Sequence, residues 1–138
     1  MTKYVLGFLF RNYKGETQVA LIRKTRPEWQ KGKLNGIGGH LEEDELPNDA
    51  MIREFKEEAG SVCNWKFFCT MVFDNDIAVY CFKSESIADI KTMTDEEVLW
   101  FPVKGLPDTV IPNLNWLIPM ALQKEDGMNS IDLVMYYY

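Results

Sequence analysis

The chain has 138 residues, 46% hydrophobic and 26% charged. That is the composition of a folded globular protein large enough for one core without crosslinks, and it excludes a disordered chain. With 21 acidic against 15 basic residues and a formal charge of −6, no duplex nucleic acid is expected as a partner, since that needs an excess of Lys and Arg, while a small phosphorylated ligand stays open.

"KYVLGFLFR" and "TQVALIRK", apolar runs split by the polar "NYKGE", predict a β-hairpin. The apolar start is short and lacks a small-residue cleavage site, so it reads as a strand rather than a signal peptide. A basic loop follows, in which Arg23, Lys24, Arg26, Lys31 and Lys33 stand against one acid, Glu28. "GIGGHLEEDE" is too Gly-rich and too charged for regular structure and is expected to be irregular. A helix comes next. Pro47 suits its first turn, Asp49 would face the positive end of its dipole, Met51, Ile52, Phe55 and Ala59 recur at helical spacing, and Gly60 ends it. "KFFCTMVFDND" and "IAVYCFKS" give two strands around "DND", and "EVLWFPV" another. "NLNWLIPMALQK" reads as a second helix despite Pro119 in its middle, and "SIDLVMYYY" as a last strand.

No repeat or linker interrupts this order, so one domain of mixed α and β type is expected over residues 1–138. No apolar run is long enough to span a bilayer, so no membrane partner is expected. Cys63, Cys69 and Cys81 are odd in number and widely spaced. They are expected as reduced thiols in a cytoplasmic protein; a zinc site would want closer pairs and more than the single His40. Oligomeric state stays open.

The charge is unevenly placed. Between Glu42 and Glu58 lie Glu42, Glu43, Asp44, Glu45, Asp49, Glu54, Glu57 and Glu58 against only Arg53 and Lys56. The remainder of the chain is balanced, so the whole surplus sits here. On a helix, Glu54, Glu57 and Glu58 share a face, and like charges so spaced cost about 0.2–0.5 kcal/mol per pair. They flank the apolar stripe rather than join it. A merely solvated acidic face would account for the helix alone, but not for the Gly-Gly turn before it, the further carboxylate of Glu45, or the basic loop upstream. Carboxylates with a free backbone carbonyl form the hard oxygen set preferred by Mg²⁺ or Mn²⁺, and divalent metal binding is the better explanation.

Gly39, five residues, Glu45, seven residues and then "REFKEEAGS" resembles the Nudix box, with Gly39, Glu45, Arg53, Glu54, Glu57, Glu58 and Gly60 in register. Phe55 and Ser61 depart from its usual aliphatic residues, and Val62 could supply the burial that Ser61 lacks. The resemblance implies a Nudix fold, an α/β/α sandwich around a mixed sheet with the box as loop–helix–loop. It also implies metal-dependent hydrolysis of a nucleoside diphosphate linked to another group. By the same resemblance, Glu57 and Glu58 hold metal with the carbonyl of Gly38. Glu54 shares the metal or acts as general base, Glu45 supports the site, and Arg53 orients a neighbouring carboxylate. A further glutamate beyond the box is expected among Asp95, Glu96 and Glu97, with Glu96 favoured.

"KLNGIGGH" resembles the corresponding stretch of MutT-type members, which clean oxidised purine nucleotides from the pool. Asn35 stands where an asparagine reads the base, and an amide that both donates and accepts suits a purine edge. Trp29 could stack on the base, against the plainer reading of an ordinary aromatic. Arg23, Lys24 and Arg26 are expected to face phosphates, against a solvated basic loop. "EVLWFPVKGLPDTVIPNLNWLIPMALQK" resembles the C-terminal third of animal members. There, adjacent aspartates after a proline contact the oxidised base; here Asn113 and Leu114 hold those slots after Pro112. The acidic pair is absent, although Asn113 can still hydrogen-bond a base. The leading expectation is a (deoxy)nucleoside triphosphate pyrophosphatase. A Nudix hydrolase of another diphosphate (a dinucleoside polyphosphate, a nucleotide sugar, a capped RNA) and a non-catalytic nucleotide sensor are the alternatives.

Overall fold

A computed structural model describes residues 1–123 and, for the backbone alone, the strand at residues 133–137. The expected hairpin is β1 (Thr2–Tyr13) with β2 (Glu16–Arg23), closed by Lys14 and Gly15. Both turn residues have positive φ, 52° and 80°, which matches the right-handed twist of the flanking strands. The remaining strands are β3 (Leu34–Asn35), β4 (Ile37–His40), β5 (Lys66–Phe73), β6 (Ile77–Glu85), β7 (Val98–Pro102) and β8 (Leu133–Tyr137). The helices are α1 (Pro47–Ala59) and α2 (Leu114–Leu122).

One mixed sheet contains them all, in the order β3-β2-β1-β6-β5-β8, with β4 also on β1 and β7 also on β2. The long strand β1 is its axis. Its first half pairs antiparallel with β4, its last residues pair antiparallel with β2, and its other edge runs parallel to β6. Side chains alternate across this strand. Val5 and Leu9 enter the cluster under α1, whereas Leu6, Phe8 and Phe10 enter the cluster under α2. The helices therefore cover opposite faces, and the α/β/α sandwich is as expected.

The segment 37–40, expected to be irregular, is instead the strand β4. Its glycines carry no side chain to reveal a period of two, and the pairing of Tyr4 through Gly7 with His40 through Ile37 supplies the regularity from outside the segment. The strand carries the box's first glycine directly against the central strand.

Helix α1 starts with Pro47 at its first position and stops at Gly60, which adopts φ 76° and returns its N–H to the carbonyl of Lys56. Ala50, Met51, Phe55 and Ala59 are fully buried. Gly7 lets the helix settle on the sheet: a Cβ there would stand 2.5 Å from Met51 Cε. Phe55 fills the box's usual aliphatic position by packing edge-on against Trp65, with ring centroids 5.1 Å apart. Val62 does not compensate for Ser61. It is 65% exposed, and Cys63 takes the buried place. In α2 the burial of Leu114, Leu117, Ile118 and Ala121 carries the helix through Pro119, at the cost of one backbone hydrogen bond. Residues 130–132 and Tyr138 of the expected last strand lie outside the described residues; β8 itself pairs parallel with β5.

Candidate active site

The outer face of α1 is organised by Arg53. Its Nε and Nη2 make a bidentate pair with Glu45 at 2.8 and 2.9 Å. Its Nη1 donates to Glu54 at 2.9 Å and reaches Glu57 at 3.4 Å, and Nη2 also donates to the carbonyl of His40 at 3.0 Å. One planar fork thus ties the loop before the helix, the helix and strand β4 together. The Arg53 hydrogen bonds hold the Glu45 carboxyl down at about 2, against the opposing effect of burial. Burial dominates at Glu54 and raises its pKa although Arg53 is beside it. Gly39 makes room for that carboxylate, since a Cβ there would stand 2.5 Å from Glu54 Oε1.

Glu58 lies on the same face but outside the reach of Arg53. Burial pushes its pKa up to about 8, reinforced by the negative charges of Glu54, Glu96 and Glu57 and opposed by Lys24. Its Oε2 is buried with no hydrogen-bond partner. Such an orphaned acceptor is costly in a folded protein, and a further donor or a cation beside it would offset that cost.

Glu96 completes this corner from across the fold. Of the acids at 95–97 it is the buried one, 5% exposed. Oε2 accepts from the Thr25 N–H at 2.7 Å and the Thr25 hydroxyl at 3.3 Å, while Oε1 accepts from Lys24 Nζ at 3.2 Å. Burial would raise its pKa, but the Thr25 N–H and the Lys24 charge outweigh burial and leave it lowered. The loop that delivers it is pinned to α1: Lys91 N–H donates to the Ala59 carbonyl at 2.9 Å and Met93 N–H to the Glu58 carbonyl at 3.3 Å. Thr25 was not legible as a site residue. Its contact spans 71 positions in sequence, and nothing local distinguishes it.

The other candidates fall in two places. Arg26 Nη2 donates to both Asp95 oxygens at 2.9 and 2.8 Å, and Arg23 approaches Glu97 at 4.0 Å. The basic loop and the acidic segment 95–97 are thus one paired unit at the edge of the carboxylate corner. Asn35 donates to Gln30 Oε1 at 3.1 Å and accepts from the Gly36 N–H at 2.8 Å. Asn113 donates to the sulfur of Met71 at 3.7 Å and leaves its Oδ1 buried without a partner. Leu34 bridges to the segment that leads into Asn113, through Leu34 N–H to the Thr109 carbonyl and Ile111 N–H to the Leu34 carbonyl, both 2.9 Å. Trp29 lies on a single 3-10 turn (Glu28–Gln30) and is 62% exposed. Cys63, Cys69 and Cys81 are free and buried.

The oxygen-rich donor set and the orphaned Glu58 oxygen suit a divalent cation. Among the described residues, however, no three metal-binding side chains already close on one point. Arg53 holds Glu45, Glu54 and Glu57, and Lys24 holds Glu96, so the protein's own cations occupy these four carboxylates and not that of Glu58.

The NUDIX domain model matches residues 2–119. The chain belongs to the Nudix family. Nudix hydrolases act on phosphoanhydride bonds and generally use divalent metal ions. Among curated proteins the chain is similar to "Putative nudix hydrolase 1" of Caenorhabditis elegans, 29% identical over 107 residues. That match covers 72% of this chain and only 28% of the worm protein. Among solved structures, the NUDIX domain of NrtR from Shewanella oneidensis, crystallised with ADP ribose, superposes with a TM-score of 0.74 at 20% identity, covering 86% of this chain and 84% of that one. A structure from work on MutT of Aliivibrio salmonicida and Vibrio cholerae gives 0.68 at 18% identity, covering 89% and 98%. At such identities the likeness is one of fold. The Nudix box of this chain is the β4–α1 unit, with Arg53 as its clasp.

Proposed function

We propose that this Nudix chain hydrolyses a (deoxy)nucleoside triphosphate, of purine type and with oxidised purines among the candidates, to the monophosphate and pyrophosphate. Mg²⁺ or Mn²⁺ is the cofactor. The observation that carries this is the buried, unpartnered Glu58 oxygen beside Glu54, Glu57 and Glu96.

Glu57, Glu58 and the Gly38 carbonyl would hold the ion, with Glu54 sharing it. When bound, a divalent cation neutralises phosphate charge and makes water more acidic. The chain's own residues do the rest. Water oxygen forms a new bond to phosphorus, the bridging P–O bond breaks with pyrophosphate leaving, and a carboxylate takes the water's proton. Glu54 and Glu96 are the candidates for that proton, and Glu45 acts through Arg53 to keep Glu54 in place. Arg23, Lys24 and Arg26 face the phosphates from the other side. Asn35, Asn113 and Trp29 face the base, with the unpaired Asn113 oxygen free to accept from a purine amine.

A second reading, another nucleoside diphosphate derivative, is favoured by one observation: Asn113 and Leu114 replace the acidic pair of oxidised-purine enzymes. A panel of purine, oxidised-purine and pyrimidine triphosphates, dinucleoside polyphosphates, nucleotide sugars and capped RNA, each with Mg²⁺, separates the readings by product. Monophosphate and pyrophosphate from a purine triphosphate are expected. Cleavage confined to another class would establish the second reading. A panel left intact, with one member still raising the melting temperature, would make the chain a nucleotide sensor.

A further inference from the structure

Lys24 is held more tightly than a phosphate-binding lysine on a loop needs to be. Its N–H donates to the Lys33 carbonyl and its own carbonyl accepts from the Gly32 N–H, both at 2.8 Å. This fixes the root of the side chain at the end of β2. The side chain runs inward, only 17% exposed, to Glu96, itself 6% exposed. Thr25, the next residue, grips the other Glu96 oxygen through both its N–H and its hydroxyl. Two consecutive residues therefore lock one carboxylate from both ends.

The neighbouring Glu58 has no such partner. Arg53 is committed to Glu45, Glu54, Glu57 and the His40 carbonyl, and Arg26 stands 3.9 Å from Glu96 while paired with Asp95. Lys24 is the cation whose field opposes the burial of Glu58. An ammonium 3.2 Å from the buried Glu96, in a corner where the Glu58 Oε2 has no partner, supplies with one charge part of what a divalent ion would supply with two.

We propose that Lys24 is the resident counter-ion of the buried Glu96 in the corner it shares with Glu58, competing in the metal-free protein with a divalent cation for that corner and yielding it when the cation binds. The inference rests on the metal reading above and adds a competitor to it. Lys24 is thereby a positioning residue that tunes metal affinity, in addition to any contact it makes with phosphate.

The test is a titration with Mn²⁺ alone, without nucleotide, followed by the loss of the free-ion electron paramagnetic resonance signal. Lys24→Met and Lys24→Gln remove the competing charge and should bind Mn²⁺ about tenfold more tightly than wild type. Lys24→Arg keeps the charge and should stay within about twofold. The glutamine variant serves if the methionine variant does not fold. Mn²⁺ binding that Glu57→Gln abolishes but the neutral Lys24 variants leave unchanged or weakened would overturn this inference while sparing the metal site. No Mn²⁺ binding by wild type would remove the metal reading, and this inference with it.

Discussion

Helix α2 turns Leu114, Leu117, Ile118 and Ala121 to the sheet and carries no acidic residue in its first turn and no basic one in its last. Helix α1 buries a similar stripe on the opposite face, yet its outer side bears Glu54, Glu57 and Glu58 beside Arg53. The first is a packing element whose outer surface is undemanding. The second uses its packing to hold like charges close together, an arrangement that isolated helices disfavour. What the core gives α1 is the rigidity to tolerate repulsion, and the site is built from that tolerance.

This contrast can be broken by separating stability from turnover. Phe55→Ala removes a fully buried ring from under α1 and should cost about 3–5 kcal/mol in urea unfolding. It should also lower turnover per folded molecule, because the carboxylates ride on that contact. Leu117→Ala, equally buried under α2, should cost about 2–5 kcal/mol and leave turnover per folded molecule unchanged. Equal effects of the two on turnover would show that α1 is not special.

A smaller effect comes from pH. The pKa of Glu58 is raised from 4.5 to about 8 in the folded, metal-free protein. The native state thus binds the extra proton between those values, and stability contributed there is lost as pH rises through about 8. Glu58→Gln should flatten this decline and stabilise the metal-free protein at pH 9 by on the order of 2 kcal/mol. Glu45 works in the opposite sense. Its depressed pKa contributes stability above 4.5 that fades as pH falls through about 2. Urea midpoints across the pH range read both. The smallest effect belongs to Trp29→Ala: with 62% of the residue exposed, stability should change by less than about 0.5 kcal/mol. KM for the nucleotide should rise if the ring stacks on the base, and an unchanged KM would return Trp29 to an ordinary surface aromatic.

Helix α1 is legible almost residue by residue, because Pro47, the apolar stripe and Gly60 are local signals with local causes. Strand β4 is not legible, because its glycines have no side-chain period and its order comes from β1. The burial that Ser61 lacks is expected at Val62, but the chain turns and buries Cys63 instead, in the cluster that also holds Trp65. At the site, the box glutamates follow from spacing along one helix. The Thr25 and Lys24 grip on Glu96 does not, since it joins the ends of β2 and β7 across more than seventy positions. Glu96 could be proposed among three acids, but only its burial distinguishes it.

On the proposed function, the α1 carboxylates cooperate with a divalent ion in breaking a phosphoanhydride. Glu57 tests this most cleanly, because its side chain is 56% exposed and contributes little to packing. Steady-state hydrolysis of the best nucleotide with Mg²⁺, alongside thermal melts, should show Glu57→Gln slower by about a hundredfold or more. Its melting temperature should move by less than about 3 °C. Wild-type turnover in that variant would show that Glu57 holds no catalytic ion.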